Sequence, residues 1–219
     1  MKPPLTIQNL LKEAMLFCQT TSIIPALFGV TDGKAVGTII EQKFKNQLLQ
    51  NFDFQVGNAA IGIDLPGLEI MTDIKVTSVK QPQSSCPFKD GTQKIFGLGY
   101  NLLVFIYDKK DDWITKNATL DFVSCAFVEK EQTGDYTTTF RLREMVKDGA
   151  NIEDVFAYLT DRNIPADSVS LVKLAERILA EPPEQGYLTI SNALQWRLQY
   201  QRILGLSEPV HGVIKIPTK

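Results

Sequence analysis

The sequence predicts a protein of the α/β class, with both helices and strands. Two apolar runs rich in β-branched residues, 59–63 and 70–79, flank a Pro-Gly break, and runs punctuated in this way favour neighbouring strands. The nearly continuous apolar run 102–107 predicts a central strand that is buried on both faces. Apolar residues recur at helical spacing over 5–19 and 35–50, which predicts two helices before the strands.

Beyond the central strand, further strands are followed by a region where helical periodicity dominates. The charged cluster 108–112 predicts a solvated turn, and residues 91–100 look helical at their start. The other predicted elements are strands at 119–129, 137–140 and 210–216 and helices at 152–163, 167–181 and 191–204. We therefore expect a core over 1–149 and a helical C-terminal region over 150–219.

Composition excludes several classes of function. Lys and Arg number 23 against 25 Asp and Glu, so the net charge of −2 gives no basic signal for nucleic acid, and local patches decide. Cys18, Cys86 and Cys125 form no CxxC pair, which argues against a zinc site or a disulfide framework. The single histidine, His211, argues against Ser-His or Cys-His catalysis. Because no signal peptide and no membrane-length apolar run is present, we expect a soluble cytoplasmic protein.

Acidic residues and a lysine accompany the two strands around the Pro-Gly break. Side chains alternate across a strand, so Asp73 and Lys75 share one face, and Asp64 ends the preceding strand. If the strands pair, the two carboxylates converge with the lysine. Two carboxylates placed so close together repel each other unless a cation lies between them. Because the ligands would be oxygen atoms, Mg²⁺ is a suitable cation. This pattern fits metal-assisted cleavage of a phosphodiester; the alternative is an ion pair on an edge strand.

Sequence context distinguishes this acid-x-Lys triplet from three others. The triplets begin at Asp32, Glu41, Asp73 and Asp108, and only the Asp73 triplet lies in an apolar run just after another acid that closes a strand. Asp32 is in an Asp-Gly turn, Glu41 is in a helical pattern, and Asp108 is in the charged cluster. The Asp73 triplet is therefore the candidate.

The segments I-D-L-P at 63–66 and D-I-K-V-T-S at 73–78 resemble the PD-(D/E)xK nuclease superfamily, and more narrowly the type II restriction endonucleases. The segments 85–88 and 93–105 belong to the same resemblance, which covers roughly residues 35–108. The proline follows the first acid by two positions instead of preceding it, and the third acid is aspartate instead of the commoner glutamate. These departures leave Glu69 as a rival metal ligand.

The resemblance implies a mixed central β-sheet flanked by helices, with a Mg²⁺ site. Asp64, Asp73 and the backbone carbonyl of Ile74 would hold the metal, and Lys75 would orient or help deprotonate the attacking water. It also implies that Glu41, from the helix before the strands, reaches this site; the alternative is a surface ion pair between Glu41 and a lysine one turn later.

Contacts with DNA are expected from the polar, proline-broken loop that follows the second strand. Lysines meet phosphates, whereas Gln and Ser side chains read base edges. For Gln93 and Lys94, the alternative to DNA contact is that they position water near Lys75. For the loop as a whole, the alternative is an ordinary surface loop without a role in binding. The candidate contacts are Lys80, Gln81, Ser84, Ser85, Lys89, Gln93 and Lys94.

For function, the resemblance implies Mg²⁺-dependent cleavage of double-stranded DNA at a short specific sequence. It further implies a homodimer whose two-fold axis matches a palindromic site, and a cognate DNA methyltransferase that protects host DNA. A structure-selective or DNA-repair nuclease and a non-catalytic DNA-binding protein remain alternatives. The C-terminal region, with Arg197, Gln201 and Arg202, either reads DNA as a helix-turn-helix or packs on the core or a dimer partner.

Overall fold

The computed structural model describes residues 2–20, 22–57, 62–86, 89–191 and 196–218. The chain divides into two compact units, and each unit is assembled from separate segments. The first unit consists of residues 1–84, 100–128 and 207–219, and the second unit consists of residues 85–99 and 129–206.

Helices and strands are mixed along the chain, as predicted. In order they are α1 (Ile7–Gln19), β1 (Ser22–Ile23), α2 (Gly33–Asn51), β2 (Thr72–Ser78), β3 (Gln83–Cys86), α3 (Thr92–Phe96), β4 (Asn101–Asp112), β5 (Asn117–Val128), α4 (Tyr136–Lys147), α5 (Ile152–Asp161), α6 (Ser168–Ala180), β6 (Thr189–Ile190), β7 (Trp196–Gln199), α7 (Gln201–Leu204) and β8 (Val213–Ile216). Short 3₁₀ turns lie at Pro25–Leu27 and Lys130–Thr133.

The first unit is built on a mixed sheet with the strand order β1-β5-β4-β2. β2 runs parallel to β4, whereas β1, β4 and β8 all pair antiparallel with β5. Since β4 occupies one edge of β5, β1 and β8 share the other edge. The predicted mixed sheet flanked by helices is thus confirmed, and β2 lies at the end of the strand order.

Four aromatic rings form the centre of the first unit's core. Phe17 of α1, Phe44 of α2, Phe105 of β4 and Phe122 of β5 are buried, and their contacting ring centroids lie 5.0–5.7 Å apart. Apolar residues at helical spacing on α2 turn that helix onto the sheet, where it packs against β2. This packing fixes which α2 side chains reach the catalytic candidates.

The second unit has a separate helical core. Ile95, Leu142, Val155, Leu159 and Ile178 are buried together, from α3 through α6. β6 and β7 pair antiparallel in this unit. Across the described ranges, every helix is too short or too polar to span a bilayer.

Several boundaries differ from the predictions for physical reasons. β4 continues through the charged cluster to Asp112 because β5 pairs with it along that whole length, so the predicted turn at 108–112 is wrong. Residues 137–140 lie in α4, which begins after Asp135; the Asp135 side chain accepts from Thr138 N at 3.0 Å, as an N-cap does.

The predicted helix over 191–204 is also wrong in its described part. Residues 196–199 form β7, in which Leu198 and Gln199 pair with β6, and only Gln201–Leu204 is helical. In the predicted strand 59–63, residues 59–61 lie outside the described residues. The predicted helices at 5–19, 35–50, 152–163 and 167–181 and the strands at 119–129 and 210–216 are confirmed within a few residues.

Phe105 is expected to carry a large share of the packing energy of the first unit. Phe105→Ala removes a ring that contacts three others, so we expect the free energy of unfolding to fall by about 3–5 kcal/mol. Urea unfolding followed by circular dichroism measures this change. Ile114→Ala is the control because Ile114 is 94% exposed; equal losses for the two variants would contradict the packing analysis.

Candidate active site

A backbone pair at the neck of a tight hairpin sets Asp64 and Asp73 opposite each other. Leu65 N donates to Thr72 O and Thr72 N donates to Leu65 O, both at 3.0 Å. In an antiparallel pair, the next residues outward face each other without backbone bonds and with their side chains close together. These residues are Asp64 and Asp73, and their carboxyl groups are within hydrogen-bonding distance.

The turn that closes this hairpin is anchored to the sheet. Gly67 O accepts from Ile70 N at 2.9 Å and from Met71 N at 2.6 Å. Asn101, the first residue of β4, donates from its backbone N to Met71 O at 2.8 Å and from Nδ2 to Ile70 O at 2.7 Å. Met71 has a φ of 31°, a value that ordinary residues rarely adopt. The turn is therefore held from the sheet side, which fixes the register of the two aspartates.

Two lysines meet these carboxyl groups from different elements. Lys75 Nζ lies 2.6 Å from Asp73 Oδ2. Lys45 Nζ, from α2, lies 2.6 Å from Asp64 Oδ1 and 2.6 Å from Glu41 Oε1. The structure thus brings Glu41, Asp64, Asp73 and Lys75 together, as the sequence predicted. The ion pair between Glu41 and Lys45, one of the two alternatives for Glu41, is present, and Lys45 in turn joins Glu41 to Asp64.

The pKa values of the two aspartates are shifted in opposite directions. Burial is the largest cause that raises the pKa of Asp73 from its usual 3.8 to about 7, and Asp64 raises it further against the opposing effect of Lys75. Burial also acts to raise the pKa of Asp64, but hydrogen bonds with Asp73, Lys45 and the Ile74 N–H outweigh it, so that pKa is lowered. Asp64 is therefore the stronger acid of the two, and Asp73 is only partly ionised near neutral pH.

Burial also acts on the pKa values of the α2 side chains Glu41 and Lys45. Burial raises the pKa of Glu41, against hydrogen bonding to Lys45. Burial acts to lower the pKa of Lys45, but hydrogen bonds to Asp64 and Glu41 outweigh it, and the pKa is raised. Lys45 is therefore a cation in this cluster at every working pH.

The oxygen atoms around the two aspartates are suitable ligands for a hard divalent cation. Asp64 Oδ2 accepts from Ile74 N at 2.8 Å, so the backbone N–H of Ile74 faces Asp64. The N–H and C=O of one strand residue point to the same edge, so the Ile74 carbonyl points to the edge of β2 on which Asp64 lies. Across the described ranges no set of three His, Cys, Asp or Glu side chains is arranged to hold a metal. Two carboxylates plus a carbonyl leave positions for water, as Mg²⁺ prefers.

Glu69, the rival ligand, lies exposed in the turn between the two aspartates. Among the described contacts, none joins its carboxylate to Asp64 or Asp73. The neck of the hairpin, rather than its tip, carries the charged cluster.

The predicted DNA-contact residues differ in exposure. In the first unit Lys80 and Gln81 are exposed and Ser84 is partly buried; in the second unit Ser85 and Lys89 are exposed.

Gln93 and Lys94, in α3 of the second unit, are only 8% and 2% exposed. Gln93 Nε2 donates to Leu98 O at 3.1 Å and its Oε1 accepts from Lys89 N at 3.1 Å. Burial lowers the pKa of Lys94, partly offset by the charge of Asp135. Both side chains are therefore buried inside their unit, where a duplex does not reach them.

Lys45 and Asn101 are the site residues that sequence reasoning missed. The spacing of four between Glu41 and Lys45 signals a helical ion pair, but nothing in the sequence links that pair to Asp64. Asn101 gives no sequence signal beyond its place at the start of an apolar run.

Comparison with known proteins agrees with this geometry. A family profile described as "Type II restriction enzyme NspV" matches residues 4–215. The type II restriction enzyme NspV of Nostoc sp. (strain ATCC 29411 / PCC 7524) is 49% identical over 214 residues, which is 97% of this chain and 96% of that protein. No solved structure matches the chain significantly.

A mixed sheet with an Asp-x-Lys edge strand beside a second aspartate agrees with the nuclease class that the sequence predicted. The profile and the relative together span nearly the whole chain. The chain belongs to the NspV family of type II restriction enzymes, and the predicted resemblance is confirmed at that level.

The raised pKa of Asp73 predicts that stability without divalent metal falls as pH rises. Between pH 5 and 8 the unfolded chain has already lost the Asp73 proton, whereas the folded protein loses it only near 7. We expect the free energy of unfolding of the wild type in EDTA to fall by about 2 kcal/mol more than that of Asp73→Asn over this interval.

Urea unfolding at several pH values in EDTA measures this difference. Asp108→Asn is the matched control, because Asp108 begins another acid-x-Lys triplet in the same sheet. Parallel pH dependences for Asp73→Asn and the wild type would contradict the raised pKa of a buried Asp73.

Proposed function

We propose that this chain hydrolyses phosphodiester bonds of double-stranded DNA at a specific sequence, by Mg²⁺-dependent attack of water. The observation that carries the proposal is the opposed pair Asp64 and Asp73 with Lys75 beside it, in a chain of the NspV family. Paired acids whose pKa values are driven apart are typical of sites that handle charge and protons.

Asp64, Asp73 and the Ile74 carbonyl would hold Mg²⁺ in this proposal. A bound Mg²⁺ supplies polarisation of the scissile phosphate and a lowered pKa for a ligated water. A divalent ion held there would relieve the mutual repulsion of the two carboxylates.

Lys75 acts on the reacting groups directly. Its ammonium, 2.6 Å from Asp73 Oδ2 and 18% exposed, is held where it can orient a water by hydrogen bonding. The same positive charge offsets the negative charge that develops on the phosphate oxygens in the transition state. Glu41 completes the acidic set through Lys45 and keeps that lysine in the cluster.

Polar residues after β2 that are exposed or partly buried would supply contacts with the duplex. The ammonium groups of Lys80 and Lys89 meet phosphates, and Gln81, Ser84 and Ser85 offer donors and acceptors to base edges. Phosphate contacts fix the position of the protein, whereas base contacts carry sequence information.

Partners follow from the family's activity. A protein that cuts both strands of a palindromic site is suited to a homodimer, because the two-fold axes of protein and site coincide. A DNA methyltransferase that modifies the same sequence would protect host DNA, without direct contact with this chain. Both enzymes would act in the cytoplasm, where host and incoming DNA meet.

Asp73→Ala is expected to abolish cleavage and to leave DNA binding intact. Loss of this carboxylate removes a metal ligand and the partner of Lys75, so we expect the cleavage rate to fall at least about a hundredfold. Unmethylated phage DNA incubated with Mg²⁺ or with EDTA, and a gel shift with Ca²⁺, measure the two properties.

Asp108→Ala is the control, because Asp108 lies 3.5 Å from Lys110 on β4 in a second acid-x-Lys triplet. It should give the same discrete, Mg²⁺-dependent bands as the wild type. Full cleavage by Asp73→Ala would refute the site, and a smear from the wild type would refute sequence specificity.

A further inference from the structure

Lys45 is the member of the charged cluster that the hydrolytic chemistry does not use. It lies one helical turn after Glu41 in α2, and its side chain is 10% exposed. Its Nζ is 2.6 Å from both Glu41 Oε1 and Asp64 Oδ1. Since Lys75 is paired with Asp73, each of the two opposed aspartates has its own lysine.

Both carboxylate oxygens of Asp64 are already engaged. Oδ1 faces Lys45 at 2.6 Å, and Oδ2 accepts from Ile74 N at 2.8 Å. A divalent ion that takes Asp64 as a ligand therefore meets the Lys45 ammonium at Oδ1. Two cations at one oxygen repel each other strongly where water is partly excluded, so Lys45 and the metal compete.

Glu41 can remain the ion-pair partner of Lys45 when Lys45 releases Asp64. A buried ammonium left without a partner is costly, but Lys45 keeps its ion pair with Glu41 when it releases Asp64. Glu41 is the more exposed of the two acids, 33% against 18% for Asp64, so the ammonium moves toward solvent. Only the end of the Lys45 side chain has to move.

We propose that Lys45 is a positioning residue that fixes Asp64 before a metal binds and is displaced onto Glu41 when a divalent ion takes Asp64 Oδ1. Lys45 thereby sets the affinity of the site for the metal. The inference rests on the metal site proposed above, and it makes Glu41 the acceptor of the displaced lysine.

The test is a Ca²⁺ titration of the DNA-free protein, followed by the midpoint of thermal unfolding. Ca²⁺ takes the same oxygen ligands as Mg²⁺, and a ligand that binds only the folded state raises the midpoint. Lys45→Met removes the competing charge, so its Kd for Ca²⁺ should fall at least about tenfold. Lys45→Arg keeps a cation and should stay within about threefold of the wild type.

The shift caused by Ca²⁺ separates this role from a purely structural one. A structural lysine would lower the midpoint of Lys45→Met equally with and without Ca²⁺. Displacement predicts that Ca²⁺ raises the midpoint of Lys45→Met more than that of the wild type. If Lys45→Met is unfolded in EDTA, Lys45→Gln is titrated instead, with the same expectation.

Lys109→Met is the matched control. Lys109 Nζ lies 2.6 Å from Asp111 Oδ1 and its side chain is 12% exposed, so it offers the same kind of ion pair elsewhere in the sheet. Its Kd for Ca²⁺ should equal that of the wild type.

Asp73→Asn separates failure of this inference from failure of the metal site. If Asp73→Asn loses Ca²⁺ binding while Lys45→Met binds Ca²⁺ no more tightly than the wild type, the displacement of Lys45 is wrong and the metal site stands. If Asp73→Asn binds Ca²⁺ like the wild type, the metal site fails and this inference fails with it.

Discussion

The reciprocal backbone pair between Leu65 and Thr72 is the constraint on which the candidate site depends. It makes Asp64 and Asp73 the next opposed residues of the ladder, where side chains approach most closely. Two carboxyl groups would avoid that distance in solution. The fold imposes it through a turn anchored by Asn101, and burial, with a further contribution from Asp64, raises the pKa of Asp73. A shift of one residue in register would move one carboxylate to the other face and abolish the site.

The cluster compensates its own charge. Glu41, Asp64 and Asp73 provide three carboxyl groups, and Lys45 and Lys75 provide two ammonium groups. The two ammonium groups offset most of the negative charge of the three carboxyl groups, and the raised pKa of Asp73 lowers that charge further near neutral pH. Lysines beside the acids therefore offset much of the cost of placing three carboxyl groups close together.

The sequence correctly predicted those helices and strands whose local residue pattern favours the structure they adopt. β2, β4 and β5 are apolar and β-branched, and α1 and α2 have a single apolar face, so local pattern and burial agree. β7 was missed because Trp196 and Tyr200 suit a helical stripe, whereas pairing with β6 is a tertiary effect. The link between Lys45 and Asp64 was missed for a similar reason: it depends on how α2 docks against β2.

The order in which the chain visits the two units restricts how evolution and engineering can alter the protein. The second unit consists of two pieces: in chain order, residues 85–99 come between β2 and β4, and residues 129–206 come between β5 and β8. Cutting back from the C-terminus removes β8 from that sheet before it reaches the second unit. A chimaera that exchanges the second unit between relatives must therefore graft both pieces at four junctions, each on an intact sheet. Recombination with a single crossover cannot transfer this unit, so new versions of it are expected to arise by substitution in place.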